Sequence, residues 1–444
     1  MSARGEFSSR LGFVLAAAGS AVGLGNIWGF PSQVAQNGGA AFVLVYLILA
    51  FFLAYPVLMA ELIIGRATRA NVVDALGAIT QSKAGRYVGL WGALTASLIL
   101  SFYAIVAGWM LAYFVESTLS LVTDKPSLTW FVDFSFSRNW FFCLLFLSFT
   151  AAIVTGGVRQ GIEKWSVRLM PTLVILIVAL IIYVSLQDGA IDGWRAYLIP
   201  DFSKVTDPEL LISAMGQAFF SMSLGVGTML VYGSYIAKSE NLPALGASVA
   251  LVDIGVAVLA GMLIIPAMYV AQANGVAIFT ESGTLIEGDA LIFNVLPSLF
   301  ASIGPIGVVI ASVFFALMSI AAVTSSISML EVPVSYLVED KAVSRTKAVW
   351  VMTLVILGIS TVIIANFGDL FGLVITVTTQ YSQPLLGLIM CVFVGWVWRR
   401  NAILSELKEG FAGAEQSLFW KIWPVYVKFV CPIIIGVMFI RTVL

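Results

Sequence analysis

Residues 19–31 read GSAVGLGNIWGFP and lie in the middle of the first apolar segment of this 444-residue chain. That segment, 11–34, is long enough to cross a bilayer as a helix. Its four glycines, its asparagine and its proline weaken or interrupt helical hydrogen bonding. Backbone N–H and C=O groups that lose their helical partners inside a membrane occur only where protein or a water-filled cavity offers them hydrogen bonds. We therefore predict an unwound segment whose free carbonyls and amides bind ions and a polar substrate near the bilayer midplane.

The composition places the whole chain in a membrane. Hydrophobic residues make up 60% of the sequence and charged residues 11%, and the mean hydropathy is +1.01. These values are typical of helical membrane proteins rather than soluble domains. The apolar runs predict one all-α polytopic domain with eleven spans, at 11–34, 40–65, 88–120, 140–155, 166–187, 210–236, 246–272, 300–336, 348–366, 370–398 and 423–443. The outer loops 188–209 and 273–299 are long enough for short helices or a lid.

Basic residues are distributed unevenly between the two sides of the predicted bundle. With the N-terminus inside, the inner segments hold 17 lysines and arginines and the outer segments hold 5. The positive-inside rule then predicts a multi-pass protein of the cell inner (plasma) membrane, with a cytoplasmic N-terminus and an extracytoplasmic C-terminus.

Several classes of function find no support in the composition. A net charge of −1 gives no indication of nucleic-acid binding. Histidine, the commonest metal ligand and general base, does not occur in the sequence. Cys143, Cys391 and Cys431 lack zinc-site spacing, and we expect them to pack as free thiols. The sequence shows no group of residues that could serve together as nucleophile, general base and orienting residue. We therefore do not expect an enzyme.

A second interruption occurs in the sixth predicted span, where residues 221–228 read SMSLGVGT. Its LGVG echoes the VGLG at 22–25, five spans earlier. An odd number of spans per repeat puts the two halves in opposite orientations, so the pattern predicts a transporter with inverted repeats. The repeats are 11–187, helices 1–5, and 210–398, helices 6–10, followed by helix 11 at 423–443. The alternative is two glycine-rich helices whose small residues serve only packing.

Motifs along most of the chain resemble the neurotransmitter:sodium symporter family, in its bacterial amino-acid branch. They are SRLGF at 9–13, the run at 19–31, NGGAAF at 37–42, ELIIGR at 61–66, GQAFFSMSLG at 216–225 and AAVTSSIS at 321–328. The resemblance implies the leucine-transporter fold, a 5+5 inverted repeat with broken helices 1 and 6. It also implies sodium-coupled symport of neutral, largely apolar L-amino acids by alternating access, and a monomer or loose homodimer in the lipid bilayer.

The resemblance implies two sodium sites. One lies near the substrate and uses Ala21, Asn26, Ser221 and Asp253; the second uses Gly19, Val22, Ala321, Thr324 and Ser325. Asp253 departs from much of the family, where asparagine is usual, and a carboxylate at this depth marks function by default. Since Asp253 supplies a negative charge itself, we expect no chloride requirement. The alternative is that Asp253 lies near the inner end and is solvated.

The resemblance also implies the substrate site. Its residues are Ala21, Leu24, Gly25, Ile99, Tyr103, Phe220, Ser221, Ser223, Val226, Ser325 and Met329. Free amides at Leu24 and Gly25 and the Tyr103 hydroxyl would bind the substrate carboxylate, although a tyrosine in such a span otherwise serves the core or the interface belt. Because none of these side chains is charged, a charged substrate side chain would lack a partner.

The gates differ from the family pattern. Gly29 stands where relatives carry arginine, and residues 373–377 hold no acid to pair with it. Gln33 and Gln217, with Phe220, remain to close the outside. On the inside, we expect Arg4 to pair with Glu339 or Asp340, with Phe7 packed beside them. Because the outer salt bridge is missing, the alternative function is an amino-acid sensor with the same fold. An ion channel would need a filter motif, which we do not find in the sequence.

Two further acids lie within the spans. Glu61 matches a family glutamate that accepts hydrogen bonds from the amides of the sixth-helix break. Glu331 lies two turns beyond Thr324, and the sequence assigns it no role.

Overall fold

The structure is a computed structural model that describes residues 5–121, 135–280, 285–286 and 291–443. Helices dominate these ranges, where the β-structure amounts to one isolated bridge between Phe279 and Leu285. The predicted all-α class is confirmed. The first helices are α1 Arg10–Ala21, α2 Phe30–Gln36, α3 Ala40–Thr68, α4 Val72–Thr80, α5 Lys83–Ser120, α6 Phe136–Thr155, α7 Val158–Ser185 and α8 Ala190–Leu198.

The second half of the chain repeats this pattern of long and short helices. The helices of the second half are α9 Pro208–Ser221, α10 Thr228–Gly233, α11 Leu242–Ala273, α12 Leu296–Ser302, α13 Pro305–Glu339, α14 Arg345–Ala365, α15 Phe367–Val397, α16 Arg400–Gly410 and α17 Leu418–Thr442. Short helix α8 lies in the predicted loop 188–209, and short helix α12 begins in the predicted loop 273–299 and ends at Ser302.

The order of the spans follows the prediction. Among the described residues, nine helices are long and apolar enough to cross a membrane, and the bent pair α1–α2 makes ten. The pair α9 and α10 takes the place of the sixth predicted span. Several helices begin earlier than predicted: α5 at Lys83, α7 at Val158 and α17 at Leu418. Helix α6 begins at Phe136 and is a full 20 residues long. Helix α13 begins only at Pro305, because a glycine at 304 separates it from α12.

Helix α5 lies at the centre of the bundle. In its most apolar stretch 78% of residues are buried, against 28% in α7 and in α17. Exposed apolar side chains on α7 and α17, such as Ile175, Ile182 and Ile433, therefore face the surroundings of the bundle. Such surfaces are suited to contact with lipid.

The first predicted break is present. Helix α1 ends at Ala21, Val22 is extended, and a π-helical turn at Gly25–Gly29 leads into α2. The segments Arg10–Ala21 and Gly25–Gln36 meet at 55°. Pro31 lies just after the π-helical turn, in the first turn of α2, and has no backbone N–H to donate.

The second predicted break separates α9 from α10. Ser223, Gly225 and Gly227 have φ angles of 51°, 89° and 83°, a left-handed conformation that glycine adopts without strain. Gly225 also approaches the backbone of α15, because a β-carbon there would lie 2.3 Å from the carbonyl oxygen of Gln383. The glycine at this position thus brings the sixth-span break against α15.

Candidate functional site

The break after α1 lies against two hydroxyls of α13. The Ser325 hydroxyl is 3.1 Å from the Val22 carbonyl oxygen and 3.4 Å from that of Gly19. The Thr324 hydroxyl is 3.4 Å from the Val22 carbonyl oxygen and 3.0 Å from that of Ala321. All five residues of one predicted sodium set are therefore adjacent, although Val22 and Thr324 are 302 positions apart.

A second oxygen cluster joins both breaks to α11. The Asn26 amide nitrogen is 2.9 Å from the Ser221 hydroxyl and 2.7 Å from the Asp253 carboxylate. The Ser221 hydroxyl donates to the other carboxylate oxygen of Asp253 at 2.8 Å. Asp253 is 0% exposed, so the solvated alternative is wrong, and no lysine or arginine among the described residues pairs with it.

Glu61 holds the sixth-span break open. Its carboxylate accepts from the Gly225 amide at 2.6 Å and from the Leu230 amide at 3.3 Å. These are donors that a broken helix leaves without intrahelical partners. The expected supporting role of Glu61 is confirmed.

A small cavity lies between the two breaks, α5, α13 and α15. It is lined by Ala21, Gly23, Leu24, Gly25, Ile99, Tyr103, Phe220, Ser223, Val226, Ser325, Met329 and Gln383. Every residue of the predicted substrate set lies here except Ser221, which belongs to the oxygen cluster beside Asp253. The sequence analysis missed Gly23 and Gln383.

One end of the cavity is polar. The Leu24 amide donates to the Tyr103 hydroxyl at 3.3 Å, and the Ser223 hydroxyl lies 3.3 Å from the Ser20 carbonyl oxygen. A β-carbon at Gly23 would lie 2.4 Å from the Ser325 hydroxyl oxygen and 2.9 Å from that of Tyr103. This end therefore presents backbone and hydroxyl groups, and none of the lining side chains is charged.

A sequence model of the Sodium:neurotransmitter symporter family matches residues 4–137 and 132–444. The chain belongs to this family. The sodium-dependent transporter YhdH of Bacillus subtilis is 31% identical over 99% of this chain and 97% of its own length. Sodium-dependent neutral amino acid transporter B(0)AT2 of Bos taurus is 27% identical over 54% of this chain and 37% of its own length.

A solved structure agrees with this assignment. The crystal structure of MhsT in complex with L-phenylalanine matches with a TM-score of 0.86 and 36% identity, covering 99% of this chain and all of that one. The leucine-transporter fold and membership of the bacterial branch are confirmed. The symporter is thus a multi-pass membrane transporter of a sodium-dependent family, whose members transport solutes rather than catalyse reactions.

At the end of the symporter remote from its N-terminus, glutamines and aromatic rings meet. Gln217 donates to the Gly25 carbonyl oxygen at 2.7 Å, and a β-carbon at Gly29 would lie 3.4 Å from the Gln217 side-chain oxygen. Gln33 is 3.0 Å from the Asn37 amide nitrogen. Gln217 therefore lies beside Gly29, the position at which relatives carry arginine. The Gln33 side chain instead forms a hydrogen bond with Asn37 at the end of its own helix.

The same end holds a group of packed rings that we call the aromatic cap, formed by Trp28, Trp109, Phe293, Phe367 and Phe371. Phe293, from the π-helical turn Leu291–Val295 that leads into α12, packs edge-on against Trp28 at 5.9 Å and Trp109 at 5.6 Å. Trp109 also contacts Phe371 of α15 at 5.9 Å, and Phe367 stacks on Phe371 at 4.5 Å. The sequence analysis missed this cap, because Phe293 lies outside the predicted spans.

At the N-terminal end, Arg4 lies outside the described residues. Glu339 accepts from the Asn71 amide at 2.8 Å, and Asp340 pairs with Arg86 at 2.9 Å and Lys341 at 2.8 Å. Lys341 and Arg86 hold the pKa of Asp340 below its usual value. The pairing of Arg4 with either acid stays a prediction.

Phe7 packs at the same end of the bundle. Its ring meets Phe13 and Tyr232 edge-on at 5.4 and 5.8 Å, and its amide donates to the Tyr235 carbonyl oxygen at 3.1 Å. The Ser8 amide and hydroxyl donate to Glu163 at 2.8 and 2.7 Å. The segment before α1 is thus hydrogen-bonded to α7 through Glu163 and to the residues that follow α10 through Tyr235.

Glu331, which the sequence left without a role, belongs to a buried ion pair. Its carboxylate is 2.6 Å from the Arg345 guanidinium and accepts from the Tyr235 hydroxyl at 2.7 Å. Arg345 also donates to the Val154 carbonyl oxygen at 3.0 Å. The pair therefore connects α13, α14, the end of α6 and the segment after α10.

Replacing Arg345 by methionine is expected to lower stability by about 3–5 kcal/mol, because it leaves the fully buried Glu331 charge without its partner. The temperature at which the purified symporter loses its monodisperse state measures this. The double variant Glu331→Gln/Arg345→Met carries no unpaired charge and should be clearly more stable than Arg345→Met alone. Equal loss in both variants would contradict this account.

Proposed function

We propose that this chain is a sodium-coupled symporter that imports neutral, largely apolar L-amino acids by alternating access. The observation that carries the proposal is Asp253. A carboxylate that is 0% exposed and has no cationic partner in the described chain is expensive to keep ionised. A cation delivered as cargo provides the missing partner, and the side chains of Asn26 and Ser221 contact the same carboxylate.

Sodium suits both oxygen clusters, because a hard cation prefers neutral and anionic oxygen ligands. In the cluster beside Asp253, a half-turn of the Asn26 amide brings its oxygen to the position that its nitrogen now holds, 2.9 Å from the Ser221 hydroxyl. Ala21 would add a carbonyl there. In the other cluster, the hydroxyls of Thr324 and Ser325 face the carbonyls of Gly19, Val22 and Ala321. We propose one sodium ion at each cluster.

The polar end of the cavity suits the backbone of an amino acid. The Leu24 and Gly25 amides and the Tyr103 hydroxyl would bind its carboxylate, at the exposed end of a helical segment whose dipole favours an anion. The Ser223 hydroxyl and the Phe220 and Ser221 carbonyls would bind its ammonium. Ile99, Val226 and Met329 leave apolar walls for the side chain. L-phenylalanine in the MhsT structure and the neutral amino acids in the name of B(0)AT2 support this class.

Transport would proceed by opening the two ends in turn. We propose that the N-terminal end is cytoplasmic, as the excess of basic residues indicates, and that the aromatic cap and Gln217 close the outer end. Predicted spans 1, 2, 6 and 7 would rock against predicted spans 3, 4, 8 and 9 around the cavity. Each sodium ion that enters gains about 2.3 kcal/mol per 100 mV of membrane potential, so two ions drive accumulation of a zwitterion.

Thr324→Val is expected to raise the sodium concentration for half-maximal binding about tenfold, because valine keeps the shape of threonine and removes one oxygen ligand. Sodium titration of amino-acid binding measures it. Thr353→Val is the matched control, since Thr353 is equally buried and its hydroxyl bonds only to its own helix at Val349. Unchanged sodium dependence in Thr324→Val would remove Thr324 from the ion site.

Uptake of labelled neutral amino acids into proteoliposomes tests the proposal. One arm carries a sodium gradient, a second replaces sodium by potassium, and a third replaces chloride by gluconate. Accumulation that needs sodium and ignores chloride is the expected result. Sodium-dependent binding without accumulation would instead indicate a sensor of the same fold.

A further inference from the structure

The side-chain amide of Gln383 has no hydrogen-bond partner in the part of the chain that the structure describes. Gln383 follows the π-helical turn Thr376–Ser382 in α15, and it is 3% exposed. Its side-chain oxygen is buried without a partner. Buried polar groups are nearly always paired, so an unpaired amide calls for a ligand that completes it.

Gln383 belongs to the wall of the cavity. The hydroxyls around the cavity already have partners within the protein: Tyr103 accepts from Leu24, and the hydroxyls of Ser223 and Ser325 lie near carbonyl oxygens. Gln383 stands instead with the apolar residues Ile99, Phe220, Val226 and Met329. The side-chain part of the cavity is therefore apolar with one unsatisfied amide.

The backbone around Gln383 is held by its neighbours. Its carbonyl oxygen contacts Gly225 so closely that a β-carbon there would lie 2.3 Å away. The hydroxyl of the preceding Ser382 is 3.3 Å from the Trp91 indole nitrogen. The main chain that carries the amide is thus held by α5 and by the sixth-span break, so binding a ligand orders only the side chain.

We propose that Gln383 selects amino acids whose aromatic side chain carries a hydrogen-bond donor, tryptophan first and tyrosine second. The inference rests on the proposed function and names the substrate class of that site. The apolar walls accept the aromatic ring, and the Gln383 oxygen accepts from the indole N–H or the phenol O–H. A ring without a donor leaves the amide unpaired, and sites built to bind such a donor discriminate strongly against the analogue that lacks it.

Competition binding in sodium tests the inference. The paired ligands are L-tryptophan and β-(3-benzothienyl)-L-alanine, in which sulfur replaces the indole N–H at nearly the same shape. The native symporter is expected to prefer tryptophan about tenfold or more. In Gln383→Leu the ratio should fall to about one, because binding of the sulfur analogue improves while that of tryptophan weakens.

The controls separate this inference from the function on which it rests. Gln416→Leu makes the same change at an exposed glutamine in the loop after α16 and should keep the native ratio. Binding of the sulfur analogue by Gln383→Leu reports a folded site. A native ratio near one, or a high ratio that persists in Gln383→Leu, would overturn the role of Gln383 alone. Absence of sodium-dependent binding of every amino acid would overturn the proposed function and this inference together.

Discussion

Asp253→Asn is expected to weaken sodium binding about 100-fold or more in chloride-free medium. The substitution keeps the size of the side chain and its contacts with Asn26 and Ser221, but it removes the only formal negative charge in that oxygen cluster. Truncating one side of a buried charge pair costs about 3–5 kcal/mol, and the cation is the other side. The sodium concentration for half-maximal amino-acid binding measures the loss.

Chloride distinguishes a lost charge from a damaged site. If Asp253 provides the negative charge beside the sodium ion, a small anion from solution should partly replace it, so Asp253→Asn should bind better in chloride than in gluconate. The native symporter should respond equally to both salts. Asp369→Asn, at an exposed acid in the first turn of α15, is the matched control. Native sodium affinity in Asp253→Asn would refute the proposed role of Asp253.

Gly23→Ala is expected to weaken the affinity of sodium-dependent amino-acid binding about 100-fold or more. The added methyl group would lie 2.4 Å from the Ser325 hydroxyl oxygen and 2.9 Å from that of Tyr103. Both oxygens must then move, and displacements of about 1 Å at a binding site cost about 100-fold. One methyl group thus affects the ion site and the carboxylate site together.

Gly216→Ala is the matched control for this change. Gly216 lies in α9, and a β-carbon there meets no atom within 4 Å. Alanine is also favoured over glycine inside a helix by about 0.5–1 kcal/mol, so this variant should be as stable as the native protein or more so. Gly23→Ala that elutes as a monodisperse protein and still binds with native affinity would contradict the close packing at the first break.

The two breaks could be predicted from the sequence because their causes are local. Glycines and a proline within an apolar run interrupt a helix wherever that helix packs, and residues 19–31 and 221–228 carry these signals themselves. Glu61 and the residues of both oxygen clusters were accessible through family motifs. The distances between Val22 and Thr324, or Asn26 and Asp253, required the tertiary structure, because each pair joins distant parts of the chain.

Other features had no local signal. Glu331 and Arg345 are only 14 positions apart, but they lie on two helices, and a sequence pattern does not show that the chain turns back to pair them. Phe293 falls between two predicted spans, and its packing over Trp28 and Trp109 depends on the whole fold. Gln383 has the same appearance in the sequence as a glutamine with an ordinary core partner, and only the structure reveals that its amide has none.

The aromatic cap has a thermodynamic consequence for the end of the symporter that it covers. A salt bridge between exposed charges weakens as ionic strength rises, whereas contacts between Trp28, Trp109 and Phe293 respond little to salt. Burial of apolar rings is driven by the entropy of water near 25 °C and becomes weaker on cooling. The closed state of this end is therefore stabilised by warming over the physiological range and is favoured least in the cold, at any salt concentration.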